Sequence, residues 1–375
     1  MNQNDETKPT LVAATPTQAG EARDPWWWVE RSIWTERRLT RLTNREPANR
    51  VWFTLVDKTY APANLASAFA KDWRNGGSAG ADAQTVAHFA RHTGAELARL
   101  HEQLRDGAYR PQPVRRAWIP KPGSKEKRPL GIPTVRDRIV QAALRHVWEP
   151  IFETEFAEVS YGFRPGRGAK DALRRVDALL KAGHPWVVEA DLKSDFDTIP
   201  HERLRARVQA RVADGRVLAL VESFLRAGVL EESKGWQPTE RGTPQGGVIR
   251  PLLANLYRDP FDHQRARADR KRVRYADDFV ILCRSQAEAQ AALTEVRTWM
   301  KEAGLTLPPD KTRIVNANAP GGFDFLGYHF ERGMRWPRHK SLKQVKERVR
   351  AKTSRLDGRS LKEIVADLNR TLRGW

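Results

Sequence analysis

Two adjacent aspartates, Asp277 and Asp278, sit in the phrase VRYADDFVILC, between an apolar run ending at Tyr275 and another starting at Phe279. Neighbouring carboxylates repel, and neither accepts burial without a countercharge. A third, Asp191, stands near the end of the short apolar run WVVEADL, residues 186–192. If these runs are neighbouring strands, three carboxylates meet at one edge of a sheet. Such a set of hard oxygen donors holds cations such as Mg²⁺, which also take phosphate oxygens. Two such ions about 3.5–4 Å apart clamp the attacking and leaving oxygens of an in-line nucleotidyl transfer. An aspartate pair in a turn is more often simply solvated. The chemical reading gains its force from the upstream aspartate and the flanking strands.

The elements that must position these acids follow from pattern and charge. The chain has 375 residues, enough for more than one domain, and 40% are hydrophobic. Lys and Arg number 66 against 46 Asp and Glu, a net charge of +20. That excess calls for a polyanionic partner, nucleic acid before an anionic membrane surface. No apolar run approaches the roughly 18 residues of a membrane span, and the first 24 residues read as a disordered tail without a secretory signal. The single cysteine, Cys283, excludes internal disulfides and zinc knuckles. An intracellular, nucleic-acid-facing protein is the default expectation. DPWWWVERSIW reads as a helix starting near Asp24, with its tryptophans packing on a neighbouring domain. Residues 71–84 form a glycine-rich loop, and 115–133 a basic hairpin. TVRDRIVQAALRHVWEPIFE is an amphipathic helix with Ile139, Ala142, Ala143, Val147 and Ile151 on one side. Strands and helices mix without regular alternation, so the fold class is α+β.

The ordered phrases RPLGIPTVRDRIVQAAL, SYGFRPGRGAKDAL, ADLKSDFDTIPH, GTPQGGVIRPLLAN, RYADDFVILC, LTLPPDKT and FDFLGYHF resemble the successive motifs of bacterial group II intron-encoded reverse transcriptases, the maturases. The resemblance covers roughly residues 50–335. It implies a right-hand polymerase with fingers, a ferredoxin-like palm and a partial helical thumb. The implied division is a tail over 1–24, N-terminal extension and fingers over 25–185, palm over 186–335, and the start of the thumb over 336–375. In the family the closing phrase LNRTLRGW continues further, so a thumb truncated in this chain is expected.

The resemblance also assigns roles. Asp191, Asp277, Asp278 and the carbonyl of Leu192 become ligands of two Mg²⁺ ions. Phe196 becomes the ring that excludes a 2′-OH. Gln245 becomes a contact to the incoming nucleotide, with Gly246 and Gly247 allowing close backbone approach. Lys121 and Arg128 become triphosphate contacts, whereas Lys125 and Lys127 read as solvated turn charges. Lys311 becomes the proton donor to pyrophosphate, with a structural ion pair as the competing role. Leu326 and Gly327 belong to a primer grip whose aromatics core packing explains equally well. The implied activity is RNA-directed DNA polymerisation from a primer 3′-OH, with associated intron RNA binding and splicing assistance. The implied partners are RNA template, DNA primer and product, deoxynucleoside triphosphates and group II intron RNA. Competing readings are an RNA-binding maturase with weak or lost polymerase activity, and a domesticated enzyme of phage defence or CRISPR adaptation.

Several positions depart from the family pattern. Ala83 stands where a glycine is expected (GADA for GVDG). Asp195 replaces a large residue beside Phe196, and Arg250 a serine. Arg258 replaces an apolar residue, and Arg265 and Arg272 are similar swaps. Either the chain diverges naturally, or these charges make its surface more soluble or more basic.

Overall fold

A computed structural model describes residues 24–43, 51–120, 127–191, 198–242, 246–263, 271–354 and 358–374, the side chains of Asp191 and Asp310 excepted. Helices α1 (Glu36–Thr43), α2 (Val56–Thr59), α3 (Pro62–Asn75), α4 (Val86–Arg91) and α5 (Thr93–Arg105) lead into the hairpin of β1 (Val114–Pro120) and β2 (Lys127–Ile132). Helices α6 (Val135–Glu153) and α7 (Ala169–Lys181), strand β3 (Trp186–Asp191), and helices α8 (His201–Gln209) and α9 (Gly215–Arg226) follow. A small hairpin, β4 (Val229–Glu231) and β5 (Gly235–Gln237), precedes α10 (Arg250–His263). Then come β6 (Lys271–Tyr275), β7 (Asp278–Cys283), α11 (Gln286–Glu302) and β8 (Thr312–Asn316). Strands β9 (Phe323–Phe325), β10 (Tyr328–Glu331) and β11 (Met334–Pro337), with helices α12 (His339–Lys352) and α13 (Leu361–Gly374), complete the chain.

The central sheet has the order β6-β7-β3-β8 with antiparallel neighbours throughout. Phe279, Ile281 and Cys283 of β7 enter a core built with α10 and α11, while Val280 and Leu282 join a second core with α7, β9 and β10. Alternate residues thus fill opposite faces, and both faces are covered. This is why FVILC is a continuous apolar run rather than an alternating one.

Helix α6 is buried all round. Ile139, Val140 and Ala143 face one core, and Leu144, Val147, Trp148 and Ile151 face another. The one-sided amphipathic expectation is therefore corrected: the helix is an internal strut. Its start is fixed by Thr134, whose hydroxyl accepts from Asp137 N at 3.1 Å. The helix expected from Asp24 is also corrected. Residues 25–28 form turns and the first helix begins at Glu36. Asp24 Oδ1 accepts from Trp26 N at 2.9 Å, which closes one turn only. Trp26 and Trp28 pack against the main core, in keeping with a packing role, while Trp27 is half exposed.

The glycine-rich loop is pinned. Arg115 donates to Ala79 O, and Arg138 donates to Ser78 O and Pro133 O while pairing with buried Asp72 at 2.8 Å. Ala83 adopts φ 57°, the left-handed region in which glycine is at ease. The departure GADA thus places a Cβ where the backbone disfavours one. Ala83→Gly is expected to stabilise the fold by about 1 kcal/mol, read as a rise in denaturation midpoint.

His146 makes stability depend on pH. The Nδ2 of Asn64 donates to Lys58 O and Ala143 O, so its Oδ1 is the acceptor for His146 Nδ1–H at 2.9 Å. Burial, helped by nearby Lys71, pulls the His146 pKa down to about 4. The unfolded chain binds this proton more readily than the folded one. The contribution is therefore complete above about pH 6.5 and is lost as pH falls toward 4, with a slope of at most about 1.4 kcal/mol per pH unit. In urea titrations across that window, His146→Gln should flatten the slope.

Candidate active site

Strands β6 and β7 pair through Tyr275 and Asp278, which leaves Ala276 and Asp277 as the two-residue connection. Ala276 adopts φ 59° and is buried, while Asp277 and Asp278 are half-buried. A positive φ inside a tight hairpin matches the twist of its strands. Alanine holds it at a steric cost, so neighbouring groups must enforce it. On the next strand Asp191 is the register partner of Asp278. Two of the three predicted acids thus occupy directly opposed positions on adjacent strands, and the third is next in sequence. Among the described residues there is no group of three His, Cys, Asp or Glu side chains that could hold a metal; the side chain of Asp191 lies outside them.

The turn rests on a buried polar cluster. Arg274 donates from Nε to both oxygens of Asp262, at 2.9 and 3.0 Å. Its Nη1 donates to Asn255 Oδ1 and to Ala276 O, each at 3.0 Å, and its Nη2 to Ser160 Oγ at 2.7 Å. Both partners of the Arg274–Asp262 pair have fully buried side chains. Arg258, also fully buried, donates to the same Ala276 O at 3.1 Å. Asn255 Nδ2 donates to Gly162 O at 2.9 Å, which seats the SYGF loop against the turn. The seat is tight: a Cβ on Gly162 would lie 2.2 Å from Ala276 N.

A cleft of about 390 Å³ opens beside the hairpin, lined among others by Asp278, Lys311, Arg313, Asp324, Leu326 and Arg338. The structure thus brings Asp278, Lys311, Leu326 and Gly327 to one place. Leu326 and Gly327 adopt φ 47° and 84°, and Gly327 O accepts from Arg338 N and Ser341 Oγ at the start of α12. Glu189 lies in the same cleft; burial raises its pKa, against the opposing pull of its 2.7 Å pair with Arg313. Arg128 lies elsewhere, on the exposed part of β2 opposite Ile119. Gly246 adopts φ 95°, and a Cβ there would meet Gly131 O at 1.8 Å. Close backbone approach is therefore real at Gly246, and it is an approach to the basic hairpin. Lys121, Lys125, Leu192, Asp195, Phe196, Gln245 and Arg265 lie outside the described residues.

Sequence reasoning missed Arg274, Asp262, Asn255 and Ser160 as a unit, and Arg313 and Arg338 as cleft residues. It read Arg258 and Arg272 as departures that could serve a more basic surface. Both lie inside. The Arg272 guanidinium sits 3.5 Å from the centroid of the Phe261 ring and donates to Phe261 O; burial brings its pKa down to about 10.

Residues 119–330, more than half of the chain, match the model of the family "Reverse transcriptase (RNA-dependent DNA polymerase)". The chain belongs to the reverse transcriptase family. The protein YkfC of Escherichia coli K12 is 38% identical over 63% of this chain and 71% of its own length. The group II intron-encoded protein LtrA of Lactococcus lactis subsp. cremoris is 43% identical over 44% of this chain and 28% of its own length. A chain of a partial Cas6-RT-Cas1–Cas2 complex matches with 28% identity and a TM-score of 0.43, over 66% of this chain and 41% of that one. The group II intron type of reverse transcriptase expected from the motifs is borne out, and with it the α+β right-hand fold. This chain spans under a third of LtrA.

In this reverse transcriptase, Gly162→Ala must displace either the SYGF loop or the Asp277 turn. Primer extension is expected to fall on the order of a hundredfold with the melting temperature lowered by only a few degrees; a rate near that of wild type would show that the loop yields instead.

Proposed function

We propose that the chain extends the 3′-OH of a primer on an RNA template, with Asp191, Asp277 and Asp278 as its metal ligands. The observation that carries this reading is the register pairing of Asp191 with Asp278, one residue after Asp277, at the edge of a cleft that also holds Lys311. Three carboxylates form the hard-oxygen donor set that two Mg²⁺ ions take, and the carbonyl of Leu192 joins them. Bound there, the ions supply charge neutralisation for the attacking hydroxyl and the leaving pyrophosphate.

The chain's own residues do the rest. Lys311 lines the same cleft as Asp278 and gives its proton to the departing pyrophosphate. Lys121 and Arg128, on the basic hairpin, bind the triphosphate. Phe196 rejects the 2′-OH of a ribonucleotide. Gln245 and Gly246 lie along the incoming nucleotide, and the contact of Gly246 with Gly131 couples that loop to the hairpin. Leu326 and Gly327 seat the primer end, held by the start of α12. The fingers span 25–185, the palm 186–335 and the start of the thumb 336–375. Deoxynucleoside triphosphates, an RNA template with its DNA product, and the group II intron RNA are the partners.

The test is incorporation of dTTP on poly(rA)/oligo(dT) with Mg²⁺. The wild-type chain is expected to extend the primer, and Asp277→Ala to lose at least on the order of a hundredfold in rate while retaining template affinity at moderate salt. That affinity should fall log-linearly with salt, since phosphate neutralisation supplies it. RNA binding without extension by the wild-type chain would instead identify a maturase that has lost polymerase activity.

A further inference from the structure

The Ala276 carbonyl carries two arginines, and only one of them is explained by the ion pair beneath it. Arg274 has its full set of partners in Asp262, Asn255, Ser160 and Ala276 O. Had position 258 been apolar, that bond would remain and the carbonyl would stay satisfied. Arg258 adds a second charge-assisted bond from α10, at 3.1 Å, to the other lone pair of the same oxygen. Its side chain is fully buried, so the bond forms in a medium that strengthens it.

The placement matters because Ala276 precedes Asp277 directly and adopts φ 59°. Two donors arriving from different elements, α10 and β6, fix the plane of this peptide better than one can.

We propose that Arg258 is a positioning residue of the polymerase: it clamps the Ala276 peptide and thereby holds Asp277 and Asp278 in their working geometry. This rests on the assignment of those two acids to the reaction. Arg258 reaches the turn through the Ala276 carbonyl, and its action on the two acids is argued through that bond.

The experiment compares Arg258→Met and Arg258→Lys with the wild-type chain by amide hydrogen exchange and by steady-state primer extension on poly(rA)/oligo(dT). Met keeps length and apolar bulk without a donor; Lys keeps charge without the fork. Exchange at residues 276–279 is expected to quicken on the order of tenfold in Met, the size of one lost charge-assisted bond, and by less in Lys. Exchange in the rest of β6 and in α10 should stay at the wild-type rate. The kcat should fall on the order of tenfold in Met, while KM for dTTP changes by less than about twofold. Wild-type exchange at the turn overturns the clamp. So does faster exchange spread evenly over α10 and β6, which marks general loosening. If Met does not fold, Lys alone decides by the same two readouts. A wild-type chain that extends no primer defeats the polymerase assignment, while the exchange arm still judges the clamp.

Discussion

The buried pair of Arg274 and Asp262 fixes the geometry on which the hairpin of β6 and β7 depends. Burying two charges costs several kcal/mol per ion unless geometry and hydrogen bonds are nearly complete. Here they are: Arg274 reaches both oxygens of Asp262, Asn255 Oδ1, Ser160 Oγ and Ala276 O, all at 3.0 Å or less. These partners come from the loop before Gly162, from α10, and from the hairpin itself. Removal of either charge strands the other in the core, at a cost of about 3–5 kcal/mol. The pair is therefore better understood as a device of position than of net stability. It locks together the loop before Gly162, α10 and the hairpin, and the turn bearing Asp277 lies where they meet.

A second constraint acts along the strands. Because β3 and β7 are buried on both faces, a slip of one residue would exchange the side chains of two differently shaped cores. Register is thereby held along the full length of the pair, from Trp186 opposite Cys283 to Asp191 opposite Asp278. The apolar run after the aspartates thus has a chemical consequence. It sets which residue of the next strand faces Asp278.

How much of this could be read beforehand depended on the range of the interaction. The placement of Asp277, Asp278 and Asp191 at adjoining strand ends was legible because adjacency and strand ends are local patterns, and the α+β class because its elements are. The hairpin at 115–133 was legible for the same reason. The three-residue strands β4 and β5 were not, since so short a segment carries no period. The turns at 25–28 resembled a helix because Pro and acidic residues mark helix starts, yet a cap does not guarantee propagation. Arg258 and Arg272 were misread for a deeper reason. A long charged side chain reads as surface by default, and the groups that make its burial tolerable are distant in sequence. Ala276 lies well downstream of Arg258, and the ring under Arg272 comes from another element.

The strained backbone positions point the same way. Five described non-glycine residues adopt positive φ, and three of them, Phe163, Ala276 and Leu326, fall within the phrases that carried the family resemblance. Each such residue costs about 1–2 kcal/mol, so each needs something to enforce it. At Ala276 it is two guanidinium groups on one carbonyl. Beside Leu326 it is Arg338 N and Ser341 Oγ on Gly327 O. Next to Phe163 it is Asn255 on Gly162 O. In all three places a polar group from a neighbouring segment grips a backbone carbonyl beside the strained residue. A backbone held in this way has few alternative states, and the acids and cleft residues it carries inherit that rigidity. The motifs therefore mark two kinds of position: a few side chains suited to chemistry, and a larger set of backbone turns whose strain must be offset by contacts from elsewhere in the fold.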